Sequence, residues 1–141
     1  MANGGLKVKS DFILRNCPIL DILIVPGGIG TRKLLENKKI ISWLKLKKNV
    51  DIIASVCTGS LLLAKAGLLE KKKATTHWGA LKLLKKISPS TIVITGNKYV
   101  FDKYYTSAGV STGIDMSLYI IENVYGKTIA KNTAKYIEYK Y

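Results

Sequence analysis

The sequence predicts a layered α/β fold with a mainly parallel sheet. Apolar segments of strand length alternate along the chain with longer segments in which apolar residues recur at helical spacing. Continuously apolar strands separated by helices are typical of parallel sheets covered by helices. The chain has 141 residues, of which 48% are hydrophobic, so we expect residues 1–141 to form a single domain with its own core.

Local patterns place each strand and helix. Strands are predicted where short apolar runs lie between turn residues, and helices where apolar residues recur every three or four positions. In chain order, the predicted strands are 5–12 (a short edge strand or hairpin arm), 21–25, 50–56, 73–76, 91–95, 98–101 and 105–108. The predicted helices are 31–35, 38–47, 58–69 and 80–86, then one after Gly109 and a terminal one after Gly126.

Two finer features are also predicted. Gly96-Asn97 separates the strands at 91–95 and 98–101, and this dipeptide is typical of a two-residue hairpin turn. Each of the last two helices has an apolar face that predicts its buried side. These faces consist of Ile114, Leu118, Ile121 and Tyr125 in the first helix, and of Ile129, Thr133, Tyr136 and Ile137 in the second.

The net charge of +14 does not by itself indicate a nucleic-acid-binding protein. Arg15 and Arg32 are the only arginines, so 21 of the 23 basic residues are lysines, spread over most of the chain. Bidentate recognition of bases favours arginine. We therefore expect a lysine-rich solvated surface that binds polyanions weakly at low salt, and no specific nucleic-acid partner.

The cysteine and histidine content argues against a metal centre. Cys17 and Cys57 are the only cysteines and His77 is the only histidine, too few for a zinc site or a disulfide framework. This cysteine usage favours a reducing compartment, so we expect a cytoplasmic location. The sequence contains no apolar stretch of membrane-spanning length, and its N-terminus lacks a signal-peptide pattern. We expect neither a metal nor a membrane partner.

Neither glycine motif fits a nucleotide cofactor. Gly28-Ile29-Gly30 follows a strand, as a dinucleotide-binding loop does, but Lys33 occupies the position of the third glycine. Gly126-Lys127-Thr128 is similar to the end of a phosphate-binding loop, but Ile121 occupies the position of its earlier glycine. No cofactor is therefore expected.

The segment Ser55-Val56-Cys57-Thr58-Gly59 joins a predicted strand to a predicted helix, with small residues around the cysteine. This spacing is that of a nucleophile elbow, with a thiol where a hydrolase carries a hydroxyl. Backbone N–H groups and the dipole at a helix N-terminus favour the thiolate. A buried, unreactive cysteine that packs as a small hydrophobe fits the same local pattern, so both interpretations stay open.

Two further segments can meet this cysteine at the carboxyl edge of the sheet. Pro26-Gly27-Gly28 ends a strand, and its backbone N–H groups can approach a substrate there. If Gly28 faces the elbow, its N–H and that of Thr58 can form an oxyanion hole; a tight turn that requires glycine explains the motif as well. His77 ends a later strand, and an imidazole beside a thiolate is a known nucleophile–base pair, although most lone histidines are ordinary surface or core residues.

The segment Thr106–Asp115 is a run of small and hydroxyl residues that opens a helix. It suits close packing beside a site, and helix capping alone also accounts for it. Asp115 can orient a catalytic group or complement the helix dipole. Trp78 can form the wall of an apolar pocket, although a core position is the more common one for tryptophan.

Taken in order, these segments resemble the ThiJ/PfpI family of the class I glutamine amidotransferase-like superfamily. The resemblance covers nearly the whole chain from about Gly5 onward, and its last segment is similar to the tail of isonitrile hydratase-like members. The segments are Asp21–Gly28, Ser55–Ser60, Ala64–Leu69, Ala74–Trp78, Thr106–Asp115 and Tyr136–Tyr139.

The resemblance implies a flavodoxin-like three-layer sandwich that is usually dimeric. It implies that Cys57 is the elbow nucleophile, that His77 is a nearby polar partner, and that the backbones of Gly28 and Thr58 are the oxyanion donors. Gly27 and Asp115 would support this catalytic site. The amidotransferase-like domains of some transcription regulators share these motifs.

The sequence departs from the family pattern at its beginning. Family members begin with a strand, a helix and a second strand, and the turn after the first strand supplies an acidic residue beside the cysteine. None of Asp11, Asp21 or Asp51 lies at a matching position. An N-terminally truncated domain with impaired proton transfer is therefore expected, in which the strands at 21–25 and 50–56 expose edges or pair differently.

The expected function is that of a cysteine-dependent hydratase or hydrolase that acts on a small electrophilic molecule, impaired by loss of the acidic residue. A homodimer that binds a small-molecule substrate or ligand is the expected assembly. The first alternative is a non-catalytic ligand-binding or redox-responsive dimeric module. The second alternative is a gene remnant without a function of its own.

Overall fold

A computed structural model describes residues 5–141. Residues 1–4, on which part of the domain prediction and of the signal-peptide prediction rests, lie outside the described residues. The described chain contains six strands and six α-helices. In chain order these are β1 (Ile22–Val25), α1 (Thr31–Leu34), α2 (Lys38–Leu46), β2 (Ile52–Val56), α3 (Gly59–Lys65), β3 (Lys73–Ala74), α4 (Leu81–Ile87), β4 (Ile92–Val93), β5 (Tyr99–Phe101), β6 (Tyr105–Ser107), α5 (Thr112–Tyr125) and α6 (Lys127–Tyr136).

The main sheet has the strand order β1-β2-β6-β5. β1 pairs with β2 and β2 with β6 in parallel, whereas β5 pairs with β6 in the antiparallel direction. A second sheet consists of β3 and β4, which are also parallel. The predicted α/β architecture with a mainly parallel sheet is therefore confirmed. β2 has neighbours on both sides, whereas one edge of β1 is unpaired within the described chain.

Helices cover both faces of the main sheet. Alternate side chains of β2 enter different cores, because successive residues of a strand point to opposite faces. Ile53 packs with Leu61 and Leu84 in the core beneath α3 and α4. Ala54 packs with Met116 in the core beneath α5. This arrangement of helices, sheet and helices is the expected three-layer sandwich.

Helix α3 ends four residues earlier than predicted. The helix was expected to reach residue 69 but ends at Lys65, because Gly67 adopts a φ of +79°. The N–H of Gly67 donates to Ala64 O at 2.9 Å, and that of Leu68 donates to Leu63 O at 3.0 Å. These two bonds form a Schellman motif, the usual way in which glycine ends a helix.

Two predicted β features are wrong. Residues 5–12 form no strand, and their apolar side chains, such as Leu6 and Val8, are exposed. Gly96 does make a turn, with a φ of +80°, but β4 and β5 on either side of it belong to different sheets. The hairpin instead joins β5 to β6, with Asp102 N–H donating to Tyr104 O at 3.3 Å.

Helices α5 and α6 are confirmed, but their predicted buried faces are only partly correct. In α5, Leu118 is buried as expected, whereas Met116 and Ile120 fill the core in place of Ile114 and Tyr125. In α6, the buried residues are Ala130 and Ala134, whereas Ile129, Tyr136 and Ile137 are exposed. The small alanine side chains allow α6 to pack closely on α5, so the larger side chains of α6 point outward.

Candidate functional site

The predicted nucleophile elbow is present at the junction between β2 and α3. Cys57 lies between these elements with a φ of +56°, a left-handed conformation that is uncommon for residues other than glycine. Its N–H donates to Ser107 O at 3.0 Å, which continues the pairing of β2 with β6. Such backbone strain costs on the order of 1–3 kcal/mol and is concentrated at functional sites.

Glycines on both sides of the elbow make this sharp turn possible. A Cβ atom at Gly59 would clash with Val25 O and would lie 2.9 Å from Pro26 O. A Cβ atom at Gly27 would lie 2.7 Å from Val56 O and 2.9 Å from the Thr58 nitrogen. The loop after β1 therefore presses directly on the elbow, and neither glycine leaves space for a side chain.

A hydroxyl network fixes Gly28 against the first turn of α3. Gly28 N–H donates to Thr58 Oγ1 at 3.0 Å, and Thr31 Oγ1 donates to Gly28 O at 2.7 Å. The N–H of Thr58 has no hydrogen-bond partner within residues 5–141. Of the two expected oxyanion donors, Thr58 N–H is thus available, whereas Gly28 N–H must first leave the threonine hydroxyl.

His77 lies next to a residue that contacts the elbow. Thr76 Oγ1 donates to Cys57 O at 3.0 Å, which brings the end of β3 to the cysteine. His77 is half-buried, and its Nδ1 accepts a hydrogen bond from Gly79 N–H at 3.2 Å. Because Nδ1 is an acceptor, the proton of the neutral ring is on Nε2. The neutral imidazole therefore offers a donor at Nε2, and the role of His77 as a base toward Cys57 stays a prediction.

Asp115 has partners other than the cysteine or the histidine. Its side chain is buried and accepts hydrogen bonds from Lys98 Nζ at 2.8 Å and from Tyr139 Oη at 3.0 Å. The hydrogen bond to Asp115 and its negative charge raise the pKa of Lys98, and the separate hydrogen bond of Tyr139 to Asp115 raises the pKa of Tyr139. Asp115 thus connects the loop before β5 to the C-terminal tail.

A groove of about 270 Å³ lies between the segment after β3 and the loop before β5. Its lining includes Thr76, whose hydroxyl donates to Cys57 O, and Ala108, which follows Ser107, the residue whose carbonyl accepts the Cys57 N–H. A larger cavity of about 510 Å³ lies between α2 and the C-terminal end of α3 and is lined by several lysines. That cavity lies at the opposite end of α3 from Cys57, so we assign no role in chemistry at the elbow to it.

A family model described as the DJ-1/PfpI family matches residues 2–123. The chain belongs to this family. The resemblance to ThiJ/PfpI proteins seen in the motifs is thus confirmed. A crystal structure of a ThiJ/PfpI family protein from Pseudomonas syringae matches the DJ-1/PfpI fold of this chain with a TM-score of 0.83 and 30% identity, covering 91% of this chain and 53% of that one. The crystal structure of Drosophila melanogaster DJ-1beta matches with a TM-score of 0.74 and 25% identity, covering 86% of this chain and 65% of that one.

Curated members of the DJ-1/PfpI family include both an enzyme and transcription regulators. The isonitrile hydratase of Pseudomonas putida is 34% identical over 143 residues, which cover 98% of this chain and 60% of that protein. The transcriptional regulator GbdR of Pseudomonas aeruginosa is 28% identical over 129 residues, which cover 92% of this chain and 35% of that protein. The chain thus spans about 60% of the length of the hydratase and about a third of that of the regulator.

The sequence did not indicate every residue of this DJ-1/PfpI site. Thr31 and Thr76 hold the loop after β1 and the end of β3 against the elbow, and neither was singled out. A signal existed for both, since Thr31 follows Gly28 at the spacing of a hydroxyl-to-carbonyl turn and Thr76 directly precedes the lone histidine.

Residues 5–141 show neither a metal-ligand cluster nor a helix suited to a membrane. Within residues 5–141, the acidic, cysteine and histidine side chains form no cluster of three that could hold a metal ion. Over the same residues, the helices lack the combination of length and hydrophobicity needed to cross a bilayer.

Ser55 carries a buried hydroxyl group whose removal should stabilise the folded chain. Its side chain is fully buried, and Oγ has no hydrogen-bond partner in the described structure. An unsatisfied buried hydroxyl costs about 1–3 kcal/mol, so Ser55→Ala is expected to raise the free energy of unfolding by about 1 kcal/mol. Urea unfolding measures this change.

Ser60→Ala is the matched control. Ser60 is equally buried, but its Oγ donates to Cys57 O at 3.2 Å, so the loss of this hydrogen bond should destabilise the fold. A loss of stability in both variants would contradict the prediction.

Two tyrosines of the C-terminal tail should make the folded chain less stable at alkaline pH. Burial and a 2.8 Å hydrogen bond to Glu122 raise the pKa of Tyr141 to about 12, and the pKa of Tyr139 is also raised. Because the folded state retains these protons after the unfolded state has lost them, the stabilisation is complete below pH 10 and is lost as the pH rises toward about 12.

Urea unfolding at a series of pH values between 10 and about 12 tests this dependence. The double variant Tyr139→Phe, Tyr141→Phe should lose less stability over this range than the unmodified chain. Tyr125→Phe is the control, because Tyr125 is exposed on α5. Equal slopes for the unmodified chain and the double variant would show that the tail tyrosines do not carry the effect.

Proposed function

We propose that this chain hydrates a small electrophile of the isonitrile type, with Cys57 as the nucleophile. The observation that carries the proposal is the left-handed backbone of Cys57 at the β2–α3 junction, where Gly27 and Gly59 pack against the turn. A thiol on such an elbow projects from the carboxyl edge of a parallel sheet, where α/β folds bind their ligands. The 34% identity to an isonitrile hydratase supports the reaction class.

The chemistry proceeds in two balanced steps. The Cys57 sulfur bonds to the terminal carbon of R–N≡C while that carbon receives the thiol proton, which gives the thioimidate Cys57–S–CH=N–R. Water then adds to the same carbon, and the C–S bond breaks. The products are the formamide R–NH–CHO and the free thiol, so no oxidant or reductant is required. A covalent intermediate of this kind divides one difficult addition into two easier ones.

Two groups beside the elbow can assist these steps. His77 carries its neutral-ring proton on Nε2, because Nδ1 accepts from Gly79 N–H. It can therefore deliver this Nε2 proton to the carbon that the sulfur attacks, while the thiol proton passes to water and water reprotonates the ring, so that the net change is still the addition of one S–H. The free N–H of Thr58 can stabilise negative charge that develops beside Cys57. Gly28 N–H can join it only after it has left Thr58 Oγ1.

A His77→Gln variant separates proton transfer from hydrogen bonding. The glutamine amide can donate a hydrogen bond but cannot transfer a proton at neutral pH, so formamide production should fall by roughly 10²- to 10⁴-fold, with a smaller change in KM. Lys82→Gln, at an exposed position of α4, is the control for a substitution close to this turn. An unchanged kcat in the glutamine variant would show that His77 has a structural role only.

The function itself is tested with the unmodified chain and cyclohexyl isonitrile. Chromatographic detection of N-cyclohexylformamide above the rate without protein is the expected result. Chain pretreated with iodoacetamide should lose this activity, and isonitrile present during pretreatment should protect it. Formamide production that survives alkylation of Cys57 would overturn the proposal, as would a rate equal to that of buffer.

A ligand-binding or redox-responsive module is the second candidate function. It is favoured by the match of 92% of this chain to a transcription regulator, together with a half-buried cysteine on a strained elbow. Peroxide treatment followed by mass spectrometry tests it, with selective oxidation of Cys57 over Cys17 as the expected result. Inertness of both cysteines would exclude the redox form. This candidate includes a homodimer, which sedimentation of the chain with and without peroxide would detect.

A further inference from the structure

The cavity of about 510 Å³ between α2 and the C-terminal end of α3 is separate from the elbow. Cys57 lies before the other end of α3, and neither Cys57 nor His77 lines this cavity. Cavities that hold small organic ligands have volumes of roughly 300–1,000 Å³. This cavity is therefore large enough for such a ligand, and it takes no part in the chemistry proposed for the elbow.

Three lysines line the cavity from two sides. Lys45 lies in α2, Lys48 follows α2, and Lys65 is the last residue of α3. Within residues 5–141, Lys45 and Lys48 have no salt-bridge partner, and the nearest carboxylate to Lys65 is that of Glu36, at 3.9 Å. The Glu36 side chain is 84% exposed, so this pair is weak and leaves Lys65 available to a ligand. The cavity thus offers three ammonium groups to an anion.

Apolar side chains form another part of the lining. Ala66 and Leu68 are buried members of the core beneath α3, and Ile41 packs against that core. Because packing in the core holds these side chains in place, they present a fixed apolar surface to the cavity. A ligand that joins several negative charges to an apolar or aromatic body finds partners here for both of its parts. A small inorganic anion would use the lysines alone.

Glu70 is the one carboxylate among the residues that line the cavity. It lies beside the turn that ends α3, since a Cβ atom at Gly67 would be 3.4 Å from Glu70 Oε1. Glu70 and the carbonyl groups at the C-terminus of α3 contribute negative charge, which the three lysines outnumber. The cavity therefore stays positive, and removal of the Glu70 charge should strengthen the binding of an anion.

We propose that this cavity binds an organic polyphosphate. Its three lysines hold the phosphate groups, and Ile41 and Leu68 contact the organic part of the ligand. Lysine suits phosphate because its ammonium group carries a full positive charge and three hydrogen-bond donors. Neither glycine motif of the sequence lines the cavity, so side chains rather than a nucleotide-binding loop hold the ligand. This binding does not depend on the reaction proposed for the elbow.

Isothermal titration calorimetry with ATP tests the proposal, because ATP joins a triphosphate to an aromatic body. The titration is done at about 0.15 M salt, where attraction between distant exposed charges is screened. Saturable binding of one ATP per chain is expected. Inorganic triphosphate and adenosine, which each lack one part of the ligand, should both bind at least tenfold more weakly. Absence of ATP binding would overturn the site, as would equal affinity for triphosphate or for adenosine.

Two variants of equal net charge separate this cavity from the general positive charge of the chain. The cavity variant combines Lys45→Gln, Lys48→Gln and Lys65→Gln. The control variant changes three exposed lysines of α6 and combines Lys127→Gln, Lys131→Gln and Lys135→Gln. The cavity variant should bind ATP at least tenfold more weakly than the unmodified chain, and the control should bind it with nearly unchanged affinity. Equal weakening in both would show non-specific attraction to a chain of net charge +14 and would overturn the site.

Glu70→Gln tests the same site with the opposite sign. Removal of the one carboxylate in the lining should tighten ATP binding by about threefold, because a nearby like charge is lost. Glu138→Gln is the matched control, since it makes the same change in charge at an exposed position after α6. Unchanged or weaker ATP binding in Glu70→Gln, or equal tightening in both variants, would contradict an anion in this cavity.

Discussion

Cys57→Ala is expected to reduce formamide production to the rate without protein. The substitution removes only a sulfur atom, so the fold is retained, but the carbon of the isonitrile then has no nucleophile to attack it. Turnover of cyclohexyl isonitrile by equal amounts of folded protein is the measurement. Cys17→Ala is the matched control, because Cys17 lies in the segment before β1, and it should keep the full rate. Retention of more than a tenth of the rate in Cys57→Ala would contradict a nucleophilic role.

The same position also reports backbone strain. Cys57 has a φ of +56°, which glycine adopts without steric cost and alanine does not. Cys57→Gly should therefore exceed Cys57→Ala in free energy of unfolding by about 1 kcal/mol, although glycine is ordinarily the less favourable residue. Urea unfolding of the two variants measures the difference. Lower stability of the glycine variant would show that the elbow is not strained.

Gly59→Ala is expected to produce the largest loss of stability. The new methyl group would clash with the carbonyl oxygen of Val25, a backbone atom fixed by the pairing of β1 with β2. Overpacking costs about 1–3 kcal/mol when side chains can adjust, and here backbone must move, so a loss of about 3 kcal/mol is expected. Equilibrium unfolding in urea measures this loss, and the rate of Cys57 alkylation reports the accompanying change in the elbow.

Gly30→Ala supplies the control for Gly59→Ala. Gly30 lies between β1 and α1, just before the first residue of α1, as Gly59 lies at the start of α3. Gly30 has a φ of −62°, and a Cβ atom there would meet nothing within 4 Å. Alanine at such a compatible position commonly stabilises by about 0.4–1 kcal/mol, through the unfolded state. The two variants should therefore change stability in opposite directions. Equal tolerance of alanine at both positions would refute the close packing of β1 against the elbow.

Local sequence patterns predicted most of the fold, because apolar periodicity and glycine-containing turns are local properties. They could not predict which strands pair. Gly96-Asn97 looks like a hairpin turn, yet β4 pairs with β3 and β5 with β6, a choice made by distant segments of the chain. The buried face of α6 was not predicted either, because close packing on α5 selected Ala130 and Ala134 over the larger apolar residues.

In the candidate site, too, local sequence predicted where residues lie along the chain but not which distant residues they contact. The placement of Gly27 and Cys57 after strands could be predicted, because β1 and β2 are neighbours in the main sheet, whereas His77 follows β3 of the second sheet. Their hydrogen-bond partners could not be predicted. The contact of Gly28 N–H with Thr58 Oγ1 and the pairing of Asp115 with Lys98 join residues that are 30 and 17 positions apart, and they depend on the completed packing.

Covalent capture of the isonitrile is the most direct test of a nucleophilic elbow. The chain is mixed with cyclohexyl isonitrile, quenched in acid within the first turnover, digested and analysed by mass spectrometry. The account predicts a mass increase of one isonitrile on the peptide that contains Cys57 and none on the peptide that contains Cys17. An unmodified Cys57 peptide in a chain that forms formamide, or equal modification of both cysteines, would contradict it.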